Sequence, residues 1–341
     1  MVVLSVVSSF ILLFVFNYNV AAKEAPPISY DQLVGFRVEP VIPPNQIDKN
    51  ISYYYIKEKE TQKDQLQFKI VNVGKKEKTV EMALNSASTN RNGLIVYNNP
   101  SSQKYLNMPI NKLANLSEKE ITVPAGETKT IQISLQMPKE KFKGISLGGI
   151  VVKEKAKQKQ GEQAGINNIY SYTIGLAVTE EVRPVLFEHT DLKLVSVQPV
   201  VSNGYKYIEA DILNPFPEIF DHVSISGEIK NAKGKTVLTE KIKDGGIAPQ
   251  TNLPFSFPIG KEPLKSGKYL FEGKAKAAGK EWTFKQAFEI TDKQAQQLNQ
   301  RASEKYVLPS YLYWMIGLVA VAIISCFIFL LLRIKKRGVR K

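Results

Sequence analysis

The feature that most constrains this chain is a period of two. Val34, Phe36 and Val38 alternate with polar neighbours, and so do Leu66, Phe68 and Ile70. Val80, Met82 and Leu84 repeat the pattern, and Ile131, Ile133, Leu135 and Met137 extend it. Alternation over such short runs places every second side chain on one face of a half-buried strand. The breaks carry turn residues: Val73-Gly74-Lys75-Lys76, Asn90-Arg91-Asn92-Gly93 and Pro124-Ala125-Gly126-Glu127. Roughly seven or eight strands fit between residues 28 and 180, and two packed antiparallel sheets bury that many alternating faces economically.

A second set follows over residues 181–291. Leu192 and Leu194 open it, residues 205–213 and Val223, Ile225 and Ile229 continue it, and Trp282, Phe284, Phe288 and Ile290 close it. Asn231-Ala232-Lys233-Gly234-Lys235 reads as a hairpin turn. A strand set of about 110 residues has the size of an immunoglobulin-like domain. The polar run 153–165 reads as a solvated loop, or alternatively as a contact site. In residues 292–310, Ala295, Leu298 and Ala302 fall at helical spacing, which predicts a short helical stalk.

The two ends read differently. Residues 1–16 are apolar, and Val20-Ala21-Ala22 suits signal-peptide cleavage, so residues 1–22 are expected to be removed. No Lys or Arg precedes Lys23, which leaves open a start placed too far downstream or an uncleaved anchor. Residues 311–332 carry no charge and as a helix would span about 33 Å, one hydrocarbon core. Six of the basic residues in a chain of net charge +14 follow at once in residues 333–341, which predicts a cytoplasmic tail. The expectation is therefore an all-β chain of two tandem immunoglobulin-like β-sandwich domains, a helical stalk and one C-terminal transmembrane helix. It would sit in the cell membrane as a single-pass protein, with the lipid bilayer as a partner and its exterior facing the wall.

Composition argues for binding over chemistry. The single cysteine, Cys326, lies in that apolar run, so the exterior has no disulfide and suits a bacterial envelope. The two histidines, His189 and His222, have no ligand-like company. Glu209 and Asp211 share one strand face, which places no cleft between them for glycoside hydrolysis. No nucleophile elbow or phosphate-cradling glycine loop occurs. Leu308-Pro309-Ser310-Tyr311-Leu312 lacks the Thr and Gly of a wall-sorting signal. No catalytic residue, cofactor or metal is expected, and nucleic acid is excluded as a partner. Candidate binding residues are Tyr53, Tyr54 and Tyr55, whose rings must alternate across a strand, and Asn45 and Gln46, polar amides beside a diproline. The tyrosines could equally be propped on the sheet, and the amides could cap their own turn.

Longer motifs carry a resemblance. They include Val34-Gly35-Phe36-Arg37-Val38-Glu39-Pro40-Val41-Ile42-Pro43-Pro44-Asn45-Gln46, Asn85-Ser86-Ala87-Ser88-Thr89-Asn90-Arg91-Asn92-Gly93 and Phe142-Lys143-Gly144-Ile145-Ser146-Leu147-Gly148-Gly149-Ile150. Asn214-Pro215-Phe216-Pro217 and Ile247-Ala248-Pro249-Gln250 follow in the second half. On these the chain resembles the WxL-interacting proteins of Gram-positive bacteria. Family members usually carry Met-Ala-Pro-Asn-Ser where Ile247-Ala248-Pro249-Gln250-Thr251 stands here. The resemblance implies a non-enzymatic surface protein that binds WxL-domain surface proteins. It links the first domain to peptidoglycan and the second to a host extracellular protein. The alternatives are an assembly chaperone using a sandwich edge strand and a wall-glycan hydrolase.

Overall fold

The computed structural model describes residues 34–98, 104–155, 169–181, 191–277 and 279–303, and Leu318 beyond them. The first half contains β1 (Phe36–Val41), β2 (Tyr54–Lys57), β3 (Lys63–Asn72), β4 (Lys78–Ser86) and the two-residue strands β5 (Ser88–Thr89) and β6 (Ile95–Val96). A helical turn, α1 (Ile110–Leu113), precedes β7 (Ala114–Leu116), β8 (Glu120–Val123), β9 (Thr128–Gln136), β10 (Ile145–Glu154) and β11 (Ser171–Thr179). One sheet has the order β1-β3-β9-β7 and the other β2-β11-β10-β4-β8. The alternating residues of β3 and β9 point into the space between them, where Phe36, Tyr54, Phe68, Ile70, Ile131, Ile133, Ile150 and Leu176 are fully buried. One pairing departs from the antiparallel expectation. β2 joins β11 parallel, because the chain leaves β1, crosses to the opposite sheet and enters along its outer edge.

The second half contains β12 (Lys193–Ser202), β13 (Tyr205–Leu213), β14 (Phe220–Asn231), β15 (Thr236–Ile247), β16 (Asn252–Pro258), β17 (Gly267–Ala277) and β18 (Lys280–Ile290). Its sheets run β12-β13-β16 and β15-β14-β17-β18 around Phe220, Phe255, Phe257 and Phe271. Phe255, Phe257 and Phe271 pack edge to face at 4.9 and 5.9 Å, the arrangement ring quadrupoles favour. The turn between β12 and β13 is Asn203-Gly204, both at positive φ as a tight hairpin needs.

The expected stalk is corrected. The helix α2 (Asp292–Arg301) has ten residues, begins with a Thr291–Gln294 capping box and lies folded back on the second sandwich. Ala295 is in that sandwich's core and Leu298 packs on it. The Asn299 side chain bonds both the N–H and the C=O of Leu264, at 2.8 and 2.9 Å. The sparse apolar stripe is thus a docking face, and burying it outweighs exposing it on a free stalk.

The membrane expectation is corrected as well. Among the described residues no helix is long and apolar enough to cross a membrane. The single-pass location, the transmembrane helix and the bilayer as a partner therefore have no described helix to carry them. An apolar run shows only that a segment avoids water, whereas crossing needs about 20 residues of continuous helix, and the longest described helix has ten. The expected span 311–332 (Leu318 aside), the tail 333–341, the signal peptide 1–22 and His189 lie outside the described residues.

Candidate functional site

The outer face of a sandwich sheet normally meets water and is polar. Here the outer face of β2, β11 and β10 is not. β10 turns Ile150 and Val152 into the core and leaves Ile145, Leu147, Gly149 and Val151 on the outside. β11 presents Thr173, Gly175 and Ala177 beside them, and β2 adds Tyr55, with Tyr53 just before it. The segment Ile95-Val96-Tyr97 lies over this face, and Ile219 reaches it from the second sandwich. Together they line a groove of about 850 Å³.

Two glycines shape its floor. Gly149 and Gly175 are cross-strand partners. A Cβ on Gly149 would meet Cγ of Tyr97 at 2.6 Å, and one on Gly175 would lie 3.5 Å from Cβ of Tyr53. The two rings are therefore seated where the sheet has no side chains. Asn85, the neighbour of Gly149 on β4, donates from Nδ2 to the Tyr97 carbonyl at 2.7 Å and holds that segment down. Burial raises the Tyr97 and Tyr55 hydroxyl pKa values above the ordinary tyrosine range, so both stay neutral donors.

The structure separates the five candidate residues. Tyr53 is 43% exposed and Tyr55 is half-buried, and both line the groove. Tyr54 points the other way, is fully buried and donates its hydroxyl to the Gln67 carbonyl at 2.6 Å. Gln46 is buried and acts as a strand substitute along β2. Its Nε2 donates to the Tyr53 and Asp48 carbonyls, and its Oε1 accepts from the Tyr55 N–H. With the Ile47 N–H donating to the Tyr55 carbonyl, this loop covers the free edge of β2. Asn45 faces away from the groove, toward Glu58 and Asp64.

Periodicity did not reveal that the two sandwiches are fastened beside this groove. The Gly93 carbonyl accepts from the Gly246 N–H at 2.7 Å, and the Pro217 carbonyl accepts from the Ile145 N–H at 2.7 Å. Thr89 Oγ1 accepts from the Ala248 N–H and lies 3.0 Å from Thr251 Oγ1, while Gln250 Oε1 accepts from the Asn107 N–H. Ala87, Leu147, Ala177 and Ala248 form a small core between the halves. The Arg91 guanidinium lies 4.2 Å from the Tyr207 ring centre. Asn214 is fully buried and bonds the Glu218 and Ala248 carbonyls and the Phe216 N–H, which shapes the turn that meets Gly144. Four of the motifs quoted above, around Thr89, Gly144, Asn214 and Ala248, thus converge on one junction.

Glu209 and Asp211 are half-buried beside it, bonded to Ser256 and Asn252. Burial raises both carboxyl groups, and they do not oppose each other across a cleft. His222 pairs with Asp244 at 2.9 Å on the exposed surface. A second hollow, on the outer face of β14, β15, β17 and β18, carries charged side chains, and some of these are paired along the sheet. Lys230 lies 2.9 Å from Glu228 and 2.5 Å from Glu272, and Lys285 lies 2.6 Å from Glu272.

Similarity to known proteins points the same way. No curated protein matches the chain significantly. Among solved structures, a chain of a chaperone–tip adhesin complex of CFA/I fimbriae is 13% identical over 74% of this chain and 97% of its own, with a TM-score of 0.27. The CupB2 chaperone of Pseudomonas aeruginosa is 12% identical over 66% and 92% (TM-score 0.27), and the DraB chaperone of E. coli 14% over 66% and 88% (TM-score 0.26). Scores this low carry no argument. The family match does: residues 36–154 match the peptidoglycan binding domain of the WxL Interacting Protein family, and residues 161–300 match its host binding domain. Strand β11 falls in the second matched segment although it completes the first sandwich. Both matched modules are binding domains rather than catalytic ones, and together they cover most of the chain, which therefore belongs to the WxL-interacting protein family as a non-catalytic surface protein with a peptidoglycan-binding and a host-binding domain.

Proposed function

We propose that the groove on the first sandwich grips an extended apolar segment of a partner protein, and that the Trp-x-Leu tripeptide for which the family's partners are named is the segment that fits. The observation that carries this reading is the apolar outer face of β2, β11 and β10. Side chains at i and i+2 of an extended strand share one face about 7 Å apart. A Trp so placed would lie against Tyr97 and Tyr53, and the Leu over Leu147 and Val151. A sugar would fit worse, because its hydroxyls would lose water over branched aliphatic side chains without gaining partners. Tyr53 and Tyr55 are the contact residues in this reading, and Tyr54, Asn45 and Gln46 hold the wall from behind.

Strand addition, which a chaperone role requires, is poorly served by the first sandwich. The edge of β2 is covered, β1 carries Pro40, and β7 has three residues. The test is capture of a WxL-domain protein by the full chain, with binding to purified peptidoglycan measured separately. Val151→Lys places a charge on the outer face without touching the core. It should reduce capture at least about tenfold, a cost of about 1.4 kcal/mol, and leave peptidoglycan binding and the melting temperature unchanged. Undiminished capture by Val151→Lys and by Tyr97→Ser would refute the assignment.

A further inference from the structure

One wall of the groove is a hairpin of the first half that rests on the second sandwich. Its strands β5 and β6 pair with Ser88 opposite Val96 and Thr89 opposite Ile95. Asn90 closes the turn between them. Its N–H donates to the Leu94 carbonyl at 2.9 Å, and its carbonyl accepts from the Gly93 N–H at 3.0 Å. Its Oδ1 accepts from the Asn92 and Leu94 N–H groups at 2.9 and 3.0 Å. A turn whose backbone groups are bonded in this way holds the hairpin as one piece.

The two sides of that piece have different neighbours. On one side Ile95, Val96 and Tyr97 line the groove beside Ile219. On the other, the contacts are to the second sandwich. Thr89 Oγ1 accepts from the Ala248 N–H at 2.9 Å, and the Gly93 carbonyl accepts from the Gly246 N–H at 2.7 Å. A Cβ on Gly245 would lie 3.2 Å from the Gly93 carbonyl oxygen, and one on Gly246 would lie 3.5 Å from Ile95 Cδ1. Thr89 and Ala248 are both buried, so water competes poorly for their bond. The first sandwich holds the hairpin at its ends. There the Ala87 N–H donates to the Leu147 carbonyl, and Asn85 Nδ2 donates to the Tyr97 carbonyl.

We propose that the hairpin 88–97 couples the groove to the second sandwich, so that gripping a partner segment against Tyr97 also tightens the junction between the two domains. The coupling rests on the groove reading above and adds its regulation. A segment seated between Leu147 and Tyr97 needs the hairpin wall in place. That wall is set by the bonds of Thr89 and Gly93 to Ala248 and Gly246. Occupation of the groove therefore stabilises those bonds, and weakening them lowers affinity by the same factor, because coupling between two equilibria is reciprocal. Thr89 and Gly93 are positioning residues in this scheme. Ile219, carried by the second sandwich, makes the link direct.

The test is amide hydrogen exchange of the full chain, alone and saturated with a WxL-domain protein. Gly246 and Ala248 belong to the second sandwich and do not line the groove. Their exchange should slow at least about fivefold in the complex. Thr89→Val keeps the shape of the side chain and removes the acceptor of the Ala248 N–H. It should lower capture at least about fivefold and diminish the slowing at Gly246, with far-UV circular dichroism unchanged. Gly246 and Ala248 amides indifferent to the partner would overturn the coupling, and so would undiminished capture by Thr89→Val. If Val151→Lys loses capture in either case, the groove stands without the coupling. If Val151→Lys captures normally, the groove reading itself has failed and the coupling falls with it.

Discussion

Gly144→Ala tests whether the two sandwiches are fixed to each other. Gly144 sits at φ +82° in the connection between β9 and β10, and a Cβ there would lie 2.3 Å from the Pro217 carbonyl oxygen and 2.7 Å from Pro217 Cβ. Two costs follow. Placing Ala in the left-handed region costs about 1–2 kcal/mol. Relieving the contact requires Pro217 to move away by about 1 Å or more. That breaks the 2.7 Å bond from the Ile145 N–H to the Pro217 carbonyl, worth about 0.5–1.5 kcal/mol. The sum is about 1.5–3.5 kcal/mol. Gly126→Ala is the control, because Gly126 has φ +74° and nothing within 4 Å of its Cβ position, so only the backbone cost applies. Urea denaturation of the full chain should show Gly144→Ala losing about 0.5–1.5 kcal/mol more than Gly126→Ala. Hydrogen exchange should show the Ile145 amide losing protection only in the former. Equal costs with unchanged Ile145 protection would mean that the junction contact does not hold in solution.

Three further outcomes are expected. Gly149→Ala should displace the Tyr97 ring, whose Cγ is 2.6 Å from the new methyl, and lower partner capture about tenfold while far-UV circular dichroism stays unchanged. Gln46→Ala removes two donated and one accepted hydrogen bond along β2, so it should cost about 1–3 kcal/mol in urea denaturation and speed exchange of the Tyr55 amide. Stability should also fall between pH 5 and pH 8. Burial raises Glu58 and Glu218 from 4.5 to about 7, helped by Asp64 and Glu181 respectively, so the folded state holds protons that the unfolded chain has released. Stabilisation is thus full below about 4.5 and lost as pH rises through about 7. Glu58 alone accounts for at most about 3 kcal/mol, and the half-exposed Glu218 for less. The double variant Glu58→Gln, Glu218→Gln should flatten the difference, and an unchanged slope would refute the attribution.

Much of the β architecture was legible because it is local. Strands such as β3 and β9 have one wet and one dry face, and alternation reports that directly. Where both faces are dry the signal fails. Residues 145–152 form a nearly continuous apolar run, and nothing local says that Ile150 faces the core while Leu147 and Val151 floor a groove. The helical spacing of Ala295, Leu298 and Ala302 was readable, but its destination against the second sandwich was not. Of the five candidate binding residues, the alternation of three consecutive tyrosines was predictable. Which ring would be buried depended on the side from which β2 joins β11.

By itself, the sequence determined the strand content, the turns with their glycines and asparagines, and the absence of a motif for chemistry, since each depends on residues within a few positions of one another. Its ordered motifs also pointed to the family. The tertiary structure alone decided that Thr89 meets Ala248, that Gly144 meets Pro217 and that Asn45 meets Glu58 and Asp64. Such contacts join positions far apart in the chain, and only the packing of whole sheets selects which distant surfaces touch.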